Sequence, residues 1–127
     1  MTQEQKELLL KDLCARLPYN TMVHGVYAYQ NQDFDTESDY IAYKEMDNIL
    51  TVLDIEWIQM CAAEVKPYLF PLSSMTEEQE REDYDICKGY IIGYESKLID
   101  FYNKNHIDYR GLIDMGLAID ATNKNIY

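Results

Sequence analysis

Histidine is nearly missing from this chain: His24 and His106 are the only two among 127 residues. They lie 82 positions apart, outside any H-x-x-x-H spacing, so no local histidine motif for zinc exists. Cysteine is equally sparse. Cys14, Cys61 and Cys87 are odd in number and form no C-x-x-C pair, which argues against a disulfide framework and for a reducing compartment. Positive charge is short as well, with 11 lysines and arginines against 23 acidic residues. The resulting net charge of −12 repels phosphate backbones, so direct nucleic-acid binding is not expected. No apolar run nears the roughly 20 residues that cross a bilayer. The start, MTQEQKELLLKDL, lacks the features of a signal peptide, so a cytoplasmic protein without a membrane partner is expected. Glycine-rich phosphate loops and G-x-S-x-G elbows are also missing.

What is abundant is tyrosine, with twelve residues. Tyrosine suits half-buried positions and recognition surfaces, because its ring packs while its hydroxyl seeks a polar partner. Acidic residues are concentrated in two segments. Gln30 to Asp47 holds six acids against Lys44, and Thr76 to Asp85 holds six against Arg81, a net of −5 in each. Within the first, Asp33, Asp35, Glu37 and Asp39 alternate as in a calcium loop. Ser38 then stands where that loop needs glycine, and Lys44 where it needs glutamate, so a solvated acidic loop is the better reading.

The length fits one α+β domain spanning residues 1–127. Thr2 and Gln5 have capping-box spacing and predict an N-terminal helix ending at Pro18. Leu9, Leu10, Leu13, Cys14 and Leu17 form its apolar stripe, with Lys11, Asp12 and Arg16 opposite. Leu8 falls among the charges and needs a cover, from this chain or from another. Strands are expected over Thr21 to Tyr29, with Gly25 as a candidate bulge, then over Tyr40 to Glu45 and Ile49 to Ile55, and Trp57 to Cys61 reads as a fourth strand in preference to a short helical turn. Gln30 to Asp39 reads as a polar loop, and Asp47-Asn48 as a turn. Pro67 and Pro71 bracket Tyr68-Leu69-Phe70 and argue against a central strand there. The expected sheet is small, curled and antiparallel, with three or four strands between helices.

The stretch YLFPLSSMTEEQ poses the question of a catalytic serine. Thr76 and Gln79 form a second capping-box pattern, so Ser73 and Ser74 read as the lead-in to a helix rather than as nucleophiles. Downstream, Tyr84, Cys87, Ile91, Tyr94, Leu98, Phe101 and Tyr102 keep one helical phase past Gly89 and Gly93. A long helix from about Glu77 to Asn103, continuous or broken at the two glycines, is the expectation. Asn105 closes it, and a short helical turn from Asp108 to Gly116 and an edge strand at Leu117 to Ile119 follow.

Three blocks, KELLLKDLCARLPY, KPYLFPLSSMTEEQ and HIDYRGLIDMGLAIDAT, resemble a family of small uncharacterised proteins of gut Bacteroidetes genomes and their prophages or mobile elements. The resemblance covers about half of the chain, and Met22 to Ala63 follows it less well. It implies a bacterial or phage protein and carries over no activity and no site residue.

Function is thus read mainly by exclusion. No residue is assigned as catalytic, cofactor-binding or metal-binding, and no cofactor is expected. Cys14 reads as core, His24 as a strand-face residue and His106 as a helix-end residue where a cation is favoured. The leading expectation is a non-enzymatic protein-interaction module with an unknown protein partner. Two alternatives stand beside it: an acidic nucleic-acid mimic that inhibits a basic host protein, and a small hydrolase using His24 or His106 with a carboxylate. A homodimer through Leu8 and the Gly89/Gly93 face is a further expectation.

Overall fold

In a computed structural model the chain is α+β, with four helices and a mixed five-stranded open sheet among the described residues. The structure describes the backbone of residues 1–33, 38–88 and 94–127, and the side chains of all of these except 30–33, 38–41 and 94. Helix α1 (Gln3–Arg16) starts at the predicted box: Gln5 N donates to Thr2 Oγ1, and Thr2 N donates to the Gln5 side chain. Strands β1 (Met22–Asp33) and β2 (Ser38–Ile49) pair antiparallel along their whole lengths, from Met22 opposite Ile49 to Asp33 opposite Ser38. Residues 30–33 and 38–39 of the expected polar loop are therefore strand, and Asp47-Asn48 lies inside β2 rather than in a turn. Asp33 and Asp39 belong to this ladder, while Asp35 and Glu37 lie outside the described residues.

Two strand expectations are overturned by helix α2 (Val52–Gln59), which occupies most of the Ile49 to Ile55 and Trp57 to Cys61 segments. The cause is local. Thr51 and Asp54 form a capping box, and Ile55 and Ile58 then bury one helical face. The end of α2 is a Schellman motif, with Cys61 N donating to Ile58 O and Ala62 N to Trp57 O. That motif places Cys61 at φ +57°, where a β-carbon costs about 1 kcal/mol relative to glycine. Cys61→Gly should therefore raise the melting temperature by about 3–5 °C, as scanning calorimetry would show.

Strand β3 (Ala63–Pro71) is central despite its prolines, against expectation. It pairs antiparallel with β1 from Ala63 to Pro67. Beyond Pro67 it pairs in parallel with β5 (Ile119–Asp120) at Tyr68-Leu69 and with β4 (Ile107–Asp108) at Phe70-Pro71. Each proline closes a ladder, so its missing N–H interrupts none. The parallel partners make the sheet mixed rather than antiparallel. Gly25 is no bulge either, since it is paired in register with both Met46 and Val65.

Ser74 lies in a 3-10 turn and donates its hydroxyl proton to Pro71 O. Thr76 and Gln79 then cap α3 (Glu77–Lys88), as predicted. A single long C-terminal helix is not observed: α3 and α4 (Tyr94–Lys104) are two elements, and Gly89 to Gly93 lie outside the described residues. Leu98, Phe101 and Tyr102 turn inward on α4, but Tyr84 and Cys87 are exposed on α3. The expected helix from Asp108 is a hydrogen-bonded turn at Leu112 to Gly116, its first amides held by Asp108: Leu112 N donates to Oδ1 and Ile113 N to Oδ2.

The core joins Leu9 and Leu13 of α1, Ile55 and Ile58 of α2, Val23, Val65 and Leu69 of the sheet, and Leu112 and Leu117. Leu8 packs against it, so its own chain supplies the missing cover and one motive for a dimer disappears. Cys14, expected in the core, is exposed. The reverse error concerns charge: Asp12 and Arg16 are fully buried. Arg16 Nε donates to Asp12 Oδ2 at 2.8 Å, and its Nη2 donates to Ile107 O at 2.7 Å. Arg110 Nε donates to the other Asp12 oxygen at 3.2 Å. Both guanidinium groups lie over the Tyr109 ring. The DYRG segment thus locks α1 to the end of the sheet.

A candidate binding groove on the hairpin

Beyond Tyr27 the β1–β2 hairpin runs past its last pairing with β3 and projects as a two-stranded ribbon. Residues i and i+2 of a strand share a face, so Gly25, Tyr27 and Tyr29 line one side together. Gly25 carries no β-carbon, and that space is taken by the Tyr27 ring, which folds back along the strand. The ring meets Trp57 of α2 edge-on, centroids 5.7 Å apart and planes at 83°. Its hydroxyl donates a short hydrogen bond to Asp54 Oδ1 and lies 3.0 Å from Asn48 Oδ1. Burial, followed by the Asp54 hydrogen bond and charge, pushes the Tyr27 pKa well up, so the phenol stays protonated. Asp54 is itself buried, and its second oxygen accepts from Thr51 N at 2.8 Å.

This network is the floor of a groove of about 390 Å³ between the hairpin and α2. Its walls are Tyr29, Met46 and Leu53, exposed by 42%, 39% and 63%, with Lys44 at the rim. An open apolar wall over a satisfied polar floor can hold side chains of a partner. A second groove, of about 480 Å³, lies along α1 and β3, where Lys6 Nζ donates to Cys61 Sγ at 3.2 Å.

The opposite face of the hairpin holds His24. Its Nδ1 is 2.7 Å from Asp47 Oδ1, and its Nε2 is 2.6 Å from Glu45 Oε1. Both carboxylates belong to β2, and Tyr68 of β3 donates its hydroxyl to the same Asp47 oxygen at 2.8 Å. Two carboxylate partners favour the doubly protonated ring, in which both nitrogens donate and neither can accept a proton. The Asp47 hydrogen bond is the largest cause of a His24 pKa above 6.5; Glu45 adds to it and burial opposes it. Lys66 lies opposite His24 on the other flank of β1. His24 thus ties β1 to β2 on an open strand face.

His106 follows α4 at φ +58°, stacked on Tyr127 at 3.8 Å and 8°, near Thr21 Oγ1. The sequence places a favoured cation at this helix end; the structure makes the ring neutral instead. Burial, reinforced by the Arg16 charge, lowers its pKa to about 4. The two histidines act with opposite sign on stability. His106 is depressed, so its contribution is present above 6.5 and lost as pH falls through about 4. His24 is raised, so its contribution is present below 6.5 and lost as pH rises through its folded pKa. Two imidazole signals titrating on opposite sides of 6.5 are expected by NMR, and His24→Gln should abolish the alkaline part of the loss.

No family model, curated protein or solved structure matches this chain. Its candidate site therefore rests on geometry alone. No helix is long and apolar enough to cross a membrane, and no group of three potential metal ligands occurs, both among the described residues. The groove was hidden from sequence reasoning because its Trp57 and Leu53 sit on a helix that was expected to be strand. The one available signal was Thr51 followed three residues later by Asp54, a capping pattern within an apolar run.

Proposed function

We propose that this chain is a non-enzymatic protein-interaction module that receives a cationic protein partner on its β1–β2 hairpin. The observation that carries the reading is the hairpin groove: Tyr29, Met46 and Leu53 stay exposed over a floor whose polar atoms are already satisfied. Aromatic and methionine side chains around a preorganised floor are the composition of interaction hot spots. The net charge of −12 selects the sign of the partner. A bacterial or mobile-element origin rests on the resemblance of the three sequence blocks alone.

The acidic-mimic reading keeps mainly the α3 segment, where Glu77, Glu78, Glu80, Glu82 and Asp85 are exposed. Glu45 and Asp47 are engaged by His24, while Asp12, Asp54 and Asp108 are buried in internal hydrogen bonds. These carboxylates do not form a phosphate-like row.

Affinity capture from lysate of the source organism, with Leu53→Glu and Tyr29→Asp beside the unchanged chain, tests the proposal. A specific protein should be retained by the unchanged chain and by Glu7→Lys on α1, and lost at least tenfold with either groove substitution. Capture indifferent to both groove substitutions would remove the groove from the function.

A further inference from the structure

The β1–β2 ladder also determines which backbone groups of β2 are left unused. Leu50 N donates to Thr21 O. Hydrogen-bonded pairs alternate along antiparallel strands, so Asn48, Met46 and Lys44 also face β1. The N–H and C=O groups of Ile49, Asp47, Glu45 and Tyr43 therefore point away from the sheet. Among the described residues β2 pairs with β1 alone, so this edge is open. Ala28 N donating to Ala62 O gives the same alternation on the other side of β1.

The two faces beside this edge differ. Tyr43, Glu45 and Asp47 project on the His24 face, where Glu45 and Asp47 each spend one oxygen on the ring. Glu45 Oε2 and Asp47 Oδ2 accept nothing among the described residues. Met46 projects on the groove face, beside Leu53. A second copy of this chain fits the edge badly: a symmetric antiparallel pairing about Met46 would set Glu45 against Asp47 of the copy.

Resting on the interaction reading above, we infer that the open edge of β2 takes up an extended segment of the partner by strand addition. Its basic residues alternate with apolar ones. Residues opposite Glu45 and Asp47 are basic and meet Glu45 Oε2 and Asp47 Oδ2; residues opposite Lys44 and Met46 are apolar and enter the groove. Main-chain hydrogen bonds to Tyr43, Glu45 and Asp47 hold the segment, and the alternation sets its register.

The test uses the full chain, labelled with 15N, and three synthetic ten-residue peptides. One alternates lysine with valine, one has the same composition in two blocks, and one alternates glutamate with valine. The alternating basic peptide should bind at least tenfold tighter than either control and slow hydrogen exchange at the amides of Tyr43, Glu45 and Asp47. Tyr43→Pro removes one outward N–H at an edge position that tolerates proline and should weaken that binding at least tenfold. Equal binding of the block peptide, or binding without protection of the three amides, would overturn strand addition. The two readings separate in the capture experiment. A partner lost with Leu53→Glu but retained with Tyr43→Pro leaves the groove standing and ends the strand-addition inference. A partner lost with neither ends both.

Discussion

Asp12→Ala should destabilise the fold by about 3–5 kcal/mol, the cost of leaving a buried charge without its partner. Asp12 and Arg16 are both 0% exposed, and Asp12 is the only carboxylate bonded to Arg16 and Arg110 among the described residues. Its removal strands the Arg16 guanidinium, whose Nη1 already has no hydrogen-bond partner among the described residues. The melting temperature should fall by about 10–20 °C, with a matching shift in urea midpoint. The double substitution Asp12→Leu with Arg16→Met should recover most of the loss, because a packed apolar pair is commonly as stable as a buried ion pair. A loss near 1 kcal/mol for the single change would mean that water reaches this pair.

Gly25→Val should cost about 2–4 kcal/mol and open the groove floor. The valine side chain would occupy the space of the Tyr27 ring. Tyr27 would then lose its bond to Asp54, worth about 1.5–3 kcal/mol when the acceptor is charged, and its edge contact with Trp57, worth about 0.5–1.5 kcal/mol. Trp57 is the only tryptophan, so its emission should shift to the red as the Tyr27 ring leaves it. Tyr27→Phe should show a smaller loss and an unshifted emission. Unchanged stability in Gly25→Val would show that Tyr27 does not depend on that glycine.

Much of the local structure was legible where a side chain speaks to its own backbone. The boxes at Thr2 and Thr76 appear as hydrogen bonds at their predicted spacing. The long-range structure was not, for three physical reasons. Apolar runs such as Ile49 to Ile55 have no distinguishing period, and only the Thr51–Asp54 cap decides for helix. Proline was read as excluding a central strand, yet it forbids only one hydrogen bond, and Pro67 sits where β3 changes partner. Charged residues were assigned to solvent, while Asp12 and Arg16 are held inside by Ile107, Tyr109 and Arg110, some 90 or more residues away. The groove inherits the first of these errors. Tyrosine abundance is divided between anchored and exposed rings: Tyr27, Tyr68, Tyr102 and Tyr127 anchor their hydroxyls, while Tyr29, Tyr43 and Tyr84 lie exposed.

The claim that the hairpin is the recognition surface is tested most directly by placing a photo-crosslinking residue at single positions in the living source organism. Met46 and Leu53 sample the groove, Tyr43 samples the edge, and Glu7 and Glu78 sample the outer sides of α1 and α3. The account predicts one shared adduct from Met46, Leu53 and Tyr43, of a partner with basic residues in its crosslinked peptide, and none from Glu7 or Glu78. An adduct formed from Glu7 or Glu78 while the three hairpin positions stay unlinked would contradict it.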